Sequence, residues 1–408
     1  MSNTGFTGVM RDYKPLLAVT KSADNDVCHP HYGCSIMAVR CLLTRNKLTH
    51  LSRKGITISI LLFLLVGCAT MLIAREFLSS DPSAGSLETI LADMGELSND
   101  YPIYIDSFVK FMQEYDRQYS SNDETRLRFR NFVRNMKFIK KAQKGRDNVV
   151  FGITRFTDWS EAEMKSMTCE DWAANEVGSE ITLDDDQDES DEVFDRPDAF
   201  DWRTKSVVTD IKDQERCGSC WAFAAIGVVE SMNAIAKNPL ISLSEQELID
   251  CDTDDNGCSG GYRPYAFRYV RRHGIVSEKD YPYKGKEQSQ CAANGTRVYI
   301  KSVKYIGRNE DAMADFVFYR GPISVGINVT KEFFHYRSGV FTPKKEDCEE
   351  DSQGSHAVAV VGYGSQNGED YWLIKNSWGK KWGMDGYVLY KRGENCCGIA
   401  NTPFSVEA

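Results

Sequence analysis

Residues 214–223, QERCGSCWAF, constrain the fold and chemistry of this 408-residue chain more than any other stretch. Cys217 and Cys220 lie three positions apart, and Trp221 follows directly. Residues 222–236 carry small and apolar side chains at helical spacing without proline, which predicts a buried helix. In its first turn, unpaired N–H groups and the positive end of the helix dipole favour a thiolate over a thiol. The stretch therefore predicts that Cys220 is a nucleophile.

Length and composition limit the class of protein. A chain with 42% apolar residues at this length can form two or three domains with cores. The net charge of −10 lies mostly ahead of residue 196, where 30 acidic residues outnumber 22 basic ones, and no basic face indicates nucleic-acid binding. Eight of the 13 cysteines lie beyond residue 210, which indicates disulfides and an oxidising compartment. The composition thus predicts an exported protein of several parts.

Residues 56–74 form an uncharged, mainly apolar run of 19 residues. As a helix the run reaches about 28 Å, enough to cross a bilayer. A cleaved signal peptide fits poorly because 55 residues precede the run, and a buried globular helix fits poorly because the run is apolar on every face. Basic residues ahead of it predict a type II signal-anchor, with residues 1–55 as a cytoplasmic tail and everything after residue 75 luminal or extracellular.

The segment between this run and residue 196 has helical patterns followed by an acidic run. Residues 101–119 and 124–143 are predicted helices, and residues 151–164 read as a short strand followed by a helix capped by Asp158 or Ser160. Residues 184–192, DDDQDESDE, carry seven acidic side chains in nine and predict an exposed linker of the kind that proteases cut. Domain boundaries follow: a luminal segment at 75–195 with a helical module at about 101–170, and a domain at 196–408.

Residues 196–408 combine two patterns. Through about residue 300, helical segments alternate with loops rich in glycine and cysteine. Beyond it, four segments with glycine-containing turns between them read as strands: 321–329, 356–364, 370–378 and 386–392. The sequence therefore predicts an α+β fold in which a helical half and a β half share an active site between them.

A nucleophilic thiol needs a base, and the base needs a partner that orients its ring. His356 opens one predicted strand and Asn376 ends another. We expect His356 to take the thiol proton and Asn376 to hold its other ring nitrogen, with Trp378 shielding that bond from water. Gln214, six residues before Cys220, is expected to donate its amide to the developing oxyanion alongside the Cys220 N–H.

Alternatives to these roles stay open at this point. His273 and His335 are rival bases, although neither is paired with an asparagine at a strand end. Cys217 and Cys220 form C-x-x-C, which also suits thiol exchange or half a zinc site. No second C-x-x-C pair is suitably placed, and the tryptophan follows the motif, whereas in thioredoxin it precedes it. A further group in the N-terminal tail fits no standard set of zinc ligands, so we expect neither a metal nor a cofactor: Cys28, His29, His31 and Cys34.

With these residues in place, residues 197–408 resemble the cathepsin L-like cysteine proteases of the papain family. The matching motifs are DWR (201–203), QxxCGSCWAF, LSEQELIDC (243–251), GCSGG (257–261), HAV (356–358) and NSWG (376–379). The resemblance implies two subdomains, one helical and one β-barrel-like, with a cleft between them. It makes Cys220 the nucleophile, His356 the base, Asn376 its orienting partner and Gln214 the oxyanion donor. It also implies three disulfides: Cys217–Cys258, Cys251–Cys291 and Cys348–Cys397.

The resemblance further assigns substrate-binding positions along the cleft: Gly260, Gly261, Tyr262, Arg263, Gly326, Ala357, Thr402 and Trp378. Relatives usually place an apolar residue where Arg263 stands in the second subsite. We interpret this departure as tolerance for an acidic or polar substrate side chain. The alternative is that Arg263 turns outward and the pocket still takes leucine or phenylalanine.

The helical module resembles the inhibitory propeptide of the same family, which lies along the cleft in reverse polarity. One motif is present with its last position changed: Glu124, Arg128, Phe132, Asn135, Ile139 and Gln143. A second motif has threonine in place of asparagine: Gly152, Thr154, Phe156 and Asp158. The long prodomain with a membrane anchor is similar to the falcipain-type enzymes of apicomplexan parasites.

Together these features predict a membrane-anchored zymogen of a cysteine endopeptidase, cleaved near residues 190–197 to give a monomeric enzyme that acts on proteins or peptides. Acidic pH is expected to loosen the prodomain, and the mature enzyme is expected in an endosomal, lysosomal or vacuolar compartment, or secreted. Asn294 and Asn328 are glycosylation sequons, and Cys396 is an additional cysteine that competes with Cys397 for Cys348. A catalytically inactive binding protein and, more remotely, a thiol oxidoreductase are the alternatives.

Overall fold

The computed structural model describes residues 102–168 and 196–408, together with Thr89. The two long ranges lie in the same structural unit of the chain. The predicted cytoplasmic tail with its cysteine and histidine group, the predicted membrane-spanning run at 56–74 and the acidic linker at 184–192 lie outside the described residues. Within the part that is described, no helix has both the length and the apolar character needed to cross a membrane.

The described helices fall into two groups. Those of residues 102–168, called the N-terminal module, are α1 (Pro102–Glu114), α2 (Asn122–Gln143) and α3 (Glu161–Lys165). Those of residues 196–408, called the C-terminal domain, are α4 (Cys220–Ile235), α5 (Glu245–Cys251), α6 (Arg263–His273), α7 (Glu310–Tyr319) and α8 (Lys345–Glu349).

Helix α1 is shorter than the helix predicted over residues 101–119. The backbone at Asp116 adopts a left-handed conformation, with φ of 50°, which ends the helix. The following residues make tertiary hydrogen bonds: Arg117 donates to the Arg155 carbonyl at 2.6 Å and the Tyr119 hydroxyl donates to Asp158 Oδ2 at 3.0 Å. These bonds to the loop before α3 replace the last predicted helical turn.

Serine caps begin the other two helices of the module. The Ser121 hydroxyl accepts from the N–H of Glu124 at 3.1 Å, so α2 starts two residues earlier than predicted. Ser160, one of the two predicted caps, accepts from the Glu163 N–H at 3.2 Å, and the Glu163 carboxylate accepts from the Ser160 N–H at 2.8 Å. This reciprocal capping box fixes the start of α3. Asp158, the other candidate, is not the cap.

In the described residues, nine strands join one sheet. They are β1 (Val149–Phe151), β2 (Phe200–Asp201), β3 (Ser302–Tyr305), β4 (Ile323–Asn328), β5 (Tyr336–Phe341), β6 (Ser355–Gln366), β7 (Glu369–Lys375), β8 (Tyr387–Lys391) and β9 (Phe404–Glu407). The order is β1-β5-β8-β7-β6-β4-β9-β3, and β2 pairs with β6. The edge strand β1 belongs to the N-terminal module and pairs antiparallel with β5.

The four predicted strands correspond to β4, β6, β7 and β8, but the β half contains more than strands. Helix α7 lies within it and was not predicted; Asn309 caps it by accepting from the N–H groups of Asp311 at 2.8 Å and Ala312 at 3.3 Å. The sequence analysis assigned only strands to this half and missed α7, which is ten residues long and has a weak amphipathic pattern.

Strand β6 separates the two largest hydrophobic clusters of the C-terminal domain. Ala357 and Ala359 pack into the core formed with α4 and its neighbouring helices. Val358 and Val360 pack into the core of the β half, as the two-residue period of a strand requires. Since His356 lies at the start of this strand, it lies where the two cores meet. Helix α4 is buried on nearly all sides against the first core.

Candidate active site

The loop before α4 holds Cys220 at the first position of the helix, where Cys220 is fully buried and takes part in none of the disulfides. The Cys217–Cys258 disulfide ties this loop to the 257–259 turn. Gly218 N–H also donates to the Cys258 carbonyl at 2.9 Å, and a Cβ on Gly218 would lie only 2.6 Å from that oxygen. The close approach requires glycine between the two cysteines.

His356 and Asn376 form a buried pair. His356 Nε2 lies 2.8 Å from Asn376 Oδ1, and both residues are almost fully buried. The Trp378 ring packs over His356 with centroids 4.7 Å apart, so water has little access to the pair. The other ring nitrogen, Nδ1, has no hydrogen bond from any described residue. The imidazole is therefore oriented through Nε2, and Nδ1 is available for proton transfer.

Gln214 is rigidly held next to this pair. Its Oε1 accepts from the Ser377 hydroxyl at 2.7 Å, and its backbone N–H donates to the Ser377 carbonyl at 2.8 Å. Its Nε2 donates to the Cys217 carbonyl at 2.9 Å and to the Met167 carbonyl of the N-terminal module at 3.1 Å. The amide predicted to bind an oxyanion thus binds a backbone carbonyl of the module.

Aromatic packing attaches the module to the C-terminal domain. The Phe156 ring packs edge-on against Phe334 and Trp378, with centroids 5.1 and 5.0 Å apart. Thr154 Oγ1 donates to the Phe334 carbonyl at 2.8 Å. At the end of the described module, Thr168 Oγ1 donates to the Gln353 carbonyl at 2.8 Å. The module therefore runs past the His356–Trp378 side of the site and on to the Gln214 amide.

Both departures from the propeptide motifs keep hydrogen bonds. Thr154, in place of asparagine, makes the bond to Phe334 described above. Gln143, in place of asparagine, links the end of α2 to β1: its Nε2 donates to the carbonyls of Arg146 at 2.7 Å and Val149 at 2.9 Å, and its Oε1 accepts from the Phe151 N–H at 2.8 Å. Neither Thr154 nor Gln143 itself has a buried side-chain atom without a hydrogen bond.

Ion pairs surround this apolar contact. Arg155 pairs with Asp213 next to Gln214, and Arg146 Nη1 lies 2.6 Å from Glu332 Oε2. Two further pairs involve the acidic first turn of α3: Lys331 with Glu161, and Arg216 with Glu163 at 3.6 Å. Sequence reasoning did not identify these pairs or Ser377, because each depends on which residues the fold brings together. The Asn-Ser-Trp motif was the only local signal for Ser377.

The predicted second subsite is brought together by α6, β4, β6 and the segment before β9. Arg263 lies inside it, with 4% of its surface exposed, and donates through Nη2 to Thr402 Oγ1 at 2.6 Å. The alternative of an outward-facing Arg263 is therefore wrong. Tyr262 and Ala357 are also buried. On the adjoining segment, Gly260 has φ of 124°, and a Cβ on Gly261 would collide with the Trp221 ring at 2.5 Å.

Neither rival base is placed for catalysis. His335 is fully buried, and burial, with a smaller contribution from Lys331, lowers its pKa to about 3. It therefore stays neutral, and neither of its ring nitrogens is hydrogen-bonded within the described residues. His273 is exposed at the end of α6, where its ring packs on Tyr269. No group of three or more acidic, histidine or cysteine side chains in the described ranges could hold a metal ion.

The described residues contain three disulfides, and their pairs are those implied by the resemblance: Cys217–Cys258, Cys251–Cys291 and Cys348–Cys397. Cys396 remains outside them, partly exposed, and burial together with the nearby Glu394 and Glu310 raises its pKa to about 11. The Asn294 sequon is exposed. The Asn328 sequon is less accessible, since Asn328 lies in β4 and Thr330 is buried.

Comparisons with known proteins agree with this geometry. The model of the papain family cysteine protease matches residues 196–406, and that of the cathepsin propeptide inhibitor domain matches residues 108–164. A viral cathepsin of Spodoptera exigua nuclear polyhedrosis virus is 37% identical over 314 residues, covering 74% of this chain and 88% of that protein. Cathepsin F of Drosophila melanogaster is 37% identical over 308 residues, covering 72% of this chain and 48% of that protein.

Solved proforms have the same fold. The structure of digestive procathepsin L2 from Tenebrio molitor matches with a TM-score of 0.65 at 32% identity, covering 74% of this chain and 99% of that chain. The proform of the ragweed pollen cysteine protease Amb a 11 matches with a TM-score of 0.65 at 32% identity, covering 74% and 93%. The chain therefore belongs to the papain family of cysteine proteases and is a cathepsin-like zymogen that carries the family's inhibitory propeptide.

Proposed function

We propose that the chain is a cysteine endopeptidase made as a type II membrane zymogen, whose N-terminal module blocks the cleft until it is removed. The observation that carries this proposal is the Gln214 amide, which donates to the Met167 carbonyl beside the buried His356–Asn376 pair. A carbonyl of the module takes the hydrogen bond that a substrate's oxyanion would need. The propeptide resemblance implies that the module lies along the cleft in reverse polarity and blocks it.

The proposed reaction uses the residues of this site in two stages. His356 takes the proton of Cys220, and the thiolate attacks the carbonyl carbon of the scissile peptide bond. Gln214 Nε2–H and the Cys220 N–H donate to the oxyanion, a contribution of about 3 kcal/mol for one such donor. His356 then gives its proton to the leaving amine. A water, deprotonated by His356, hydrolyses the thioester to a carboxylate and returns the thiol.

The test compares a reactive-thiol variant with a matched thiol control. Residues 75–408 are expressed, activated in mild acid with reductant and assayed for peptide hydrolysis. Cys220→Ala is expected to abolish hydrolysis, whereas Cys396→Ala, which removes the other thiol that lies outside the disulfides in the described residues, leaves it unchanged. Activity that survives in Cys220→Ala overturns the proposal. A folded wild-type domain that binds peptides without cleaving them supports the inactive-binder alternative, and reduction of a disulfide substrate supports the oxidoreductase.

The membrane part of the proposal rests on the apolar run at 56–74 and the basic residues before it. It assigns residues 1–55 to the cytoplasm and residues 75–408 to the lumen, as in the falcipain-type architecture, with cleavage near residues 190–197. The exposed Asn294 serves as a reporter of topology. We expect the full chain to resist carbonate extraction and to lose a glycan in Asn294→Gln. Release of the full chain by carbonate, or identical migration of the two proteins, rejects this topology.

Maturation in an acidic endosomal, lysosomal or vacuolar compartment, with secretion as the alternative destination, completes the proposal. Seven acidic residues at 184–192 motivate it, because acid neutralises carboxylates and removes their charge from the linker. Processing of the purified zymogen is expected to be faster at acidic than at neutral pH. Equal rates contradict the acid trigger, and the size of the mature enzyme in solution tests the expected monomer.

A further inference from the structure

Arg263 occupies an unusual position for a cation. It begins α6, where the N-terminal end of the helix already presents positive partial charge, and Pro264 follows it. A cation is unfavourable at this end of a helix. The side chain nevertheless folds inward and is buried, so the guanidinium and the helix terminus direct positive potential to the same place.

The surroundings hold the guanidinium toward the second subsite. Nη2 donates to Thr402 Oγ1 at 2.6 Å, and the guanidinium lies over the Phe404 ring, 5.9 Å from its centroid. Gly326 in β4 faces the same nitrogen, and a Cβ there would lie 3.2 Å from it. The glycine therefore provides the space that the arginine fills, and the two positions act together.

The remaining walls are apolar. Tyr262 and Ala357 are each 8% exposed, and with the Phe404 ring they give the predicted subsite a low-polarity lining beside one fixed cation. An apolar substrate side chain in this pocket offers the guanidinium no acceptor while excluding water from it. A carboxylate offers two acceptor oxygens that match the planar fork of arginine.

We propose that Arg263 makes the second subsite of this enzyme select substrates with an acidic side chain two residues before the cleaved bond. The inference rests on the proposed endopeptidase function. In relatives with an apolar residue at this position, the same pocket is expected to favour leucine or phenylalanine. Arg263 is thus a specificity-determining residue that contacts the substrate side chain and takes no part in proton transfer.

The experiment uses the full-length chain, matured in mild acid. Active thiols are counted by alkylation at the same pH, where Cys396 stays a protonated thiol because its pKa is raised to about 11, so kcat/KM refers to active enzyme. Three fluorogenic peptides differ only in the second residue before the cleaved bond: glutamate, glutamine or leucine. The wild type is expected to cleave the glutamate peptide about tenfold faster than the glutamine peptide, the range of a charge-assisted hydrogen bond. Arg263→Met is expected to lose this preference and to cleave the leucine peptide best.

Two further variants make the result specific. Arg272→Met removes an exposed arginine from the same helix and is expected to leave the glutamate-to-glutamine ratio unchanged. Gly326→Ala places a methyl group against Nη2 and is expected to reduce the ratio without removing the charge. Gly326→Ala also keeps the inference testable if Arg263→Met fails to fold.

The outcomes separate the two proposals. If the wild type prefers the leucine peptide and Arg263→Met does not change this, the inference about Arg263 is overturned while the endopeptidase function stands. If the matured wild type cleaves none of the peptides although its thiol is alkylated, the proposed function fails and the inference fails with it.

Discussion

The pKa values of carboxyl groups at the junction of the N-terminal module are lowered, whereas those of carboxyl groups buried in the C-terminal domain are raised. Hydrogen bonds and charge from Lys331 hold the pKa of Glu161 below its usual value. Burial works to raise the pKa of Glu163, but Arg128 and the Ser160 cap outweigh it and lower the pKa. In the C-terminal domain, burial raises the pKa of Asp255 to about 8 and that of Glu245 to about 7. The module depends on ionised carboxylates, and the C-terminal domain tolerates neutral ones.

The difference follows from how each part is held. The module is attached by arginine and lysine pairs at the rim of an apolar contact, and such pairs need the charged form. In the C-terminal domain burial is the largest influence. It raises the pKa of Asp255, which lies near Asp252, and that of Glu245, although Lys212 Nζ lies 2.7 Å from Glu245 and also pairs with Glu230. Each part has an exception. Burial raises the pKa of Asp158 in the module, while Lys212 and Lys375 outweigh burial and lower the pKa of Glu230 in the domain. From this balance we expect acid to weaken the attachment of the module more than it destabilises the C-terminal domain.

The prediction with the largest expected effect destabilises the N-terminal module and leaves the C-terminal domain unchanged. Phe132→Ala removes a fully buried ring from the cluster that also contains Phe108, Phe111 and Phe129. A buried phenylalanine truncated to alanine costs about 3–5 kcal/mol. We therefore expect the zymogen to lose latency and to hydrolyse peptides at neutral pH without acid treatment.

The control for this variant is Leu127→Ala on the same helix, where the side chain is 49% exposed. Its latency is expected to stay near that of the wild type. The mature enzymes from all three proteins should unfold at the same temperature, because the module is absent from them. Retained latency in Phe132→Ala would show that the apolar cluster does not support inhibition.

The next prediction concerns Asp255 and Asp252, whose carboxyl groups lie next to the segment that carries Tyr262. Asp255 Oδ1 accepts from the Tyr262 N–H at 2.6 Å, and Asp252 is its charged neighbour. Because the folded pKa is raised to about 8 from 3.8, the stabilisation is complete below about pH 4 and is lost as pH rises toward 8. Asp255→Asn keeps the acceptor and stays neutral. We expect this variant to be about 2 kcal/mol more stable than the wild type at pH 8, since one pKa unit corresponds to about 1.4 kcal/mol and the pair shares its shift.

Denaturant unfolding of the mature enzyme at pH 5 and pH 8, with its thiol blocked, measures this difference. Asp370→Asn is the matched control, because Asp370 is about half-exposed, lies apart from the Asp252–Asp255 pair and pairs with Arg392 at 3.3 Å. It is expected to leave the pH slope of the free energy of unfolding unchanged. If Asp255→Asn shows the same slope as the wild type, the buried pair does not titrate as the comparison requires.

The parts of the fold that depend on local sequence pattern could be predicted. Helix α4, the Ser160 cap of α3, strands β4, β6, β7 and β8, and the motifs that identify the family all follow from spacing and residue type. Short elements did not: α7, β3 and β9 carry too few residues for a period to be distinguished. Helix α1 was overestimated because Arg117 and Tyr119 are used for tertiary hydrogen bonds.

The residues of the site could be predicted from the sequence, but their contacts could not. Cys220, His356, Asn376 and Gln214 carry motif signals, and the structure brings Gln214 and the His356–Asn376 pair to the same place. The Met167 carbonyl on the Gln214 amide and the inward turn of Arg263 depend on three-dimensional packing. Backbone carbonyls carry no residue type, and an arginine at a helix start gives no indication in sequence of the side to which it turns.

The prediction with the smallest expected effect tests whether the carboxylate of Glu163 contributes to acid-triggered maturation. Glu163 accepts from Ser160 N–H at 2.8 Å, pairs with Arg128 at 2.8 Å and lies 3.6 Å from Arg216 of the C-terminal domain. Its pKa is lowered from the usual 4.5, so its stabilisation is present above about pH 4.5 and is lost as pH falls through the folded pKa. Glu163→Gln keeps the cap acceptor but removes the charge. We expect a loss of about 1 kcal/mol, or roughly fivefold faster maturation at neutral pH, since the pair is partly exposed.

The measurement is the rate of zymogen processing between pH 4 and pH 7. In Glu163→Gln the rate at neutral pH should rise and the acceleration below about pH 4.5 should shrink, because the group that titrates there is gone. Asp123→Asn is the control: Asp123 is 93% exposed and pairs only locally with Arg126 on α2, so its removal leaves the junction intact. A wild-type pH profile in Glu163→Gln would assign the acid sensitivity to other carboxylates, with Glu161 and its partner Lys331 as the next pair at the same junction.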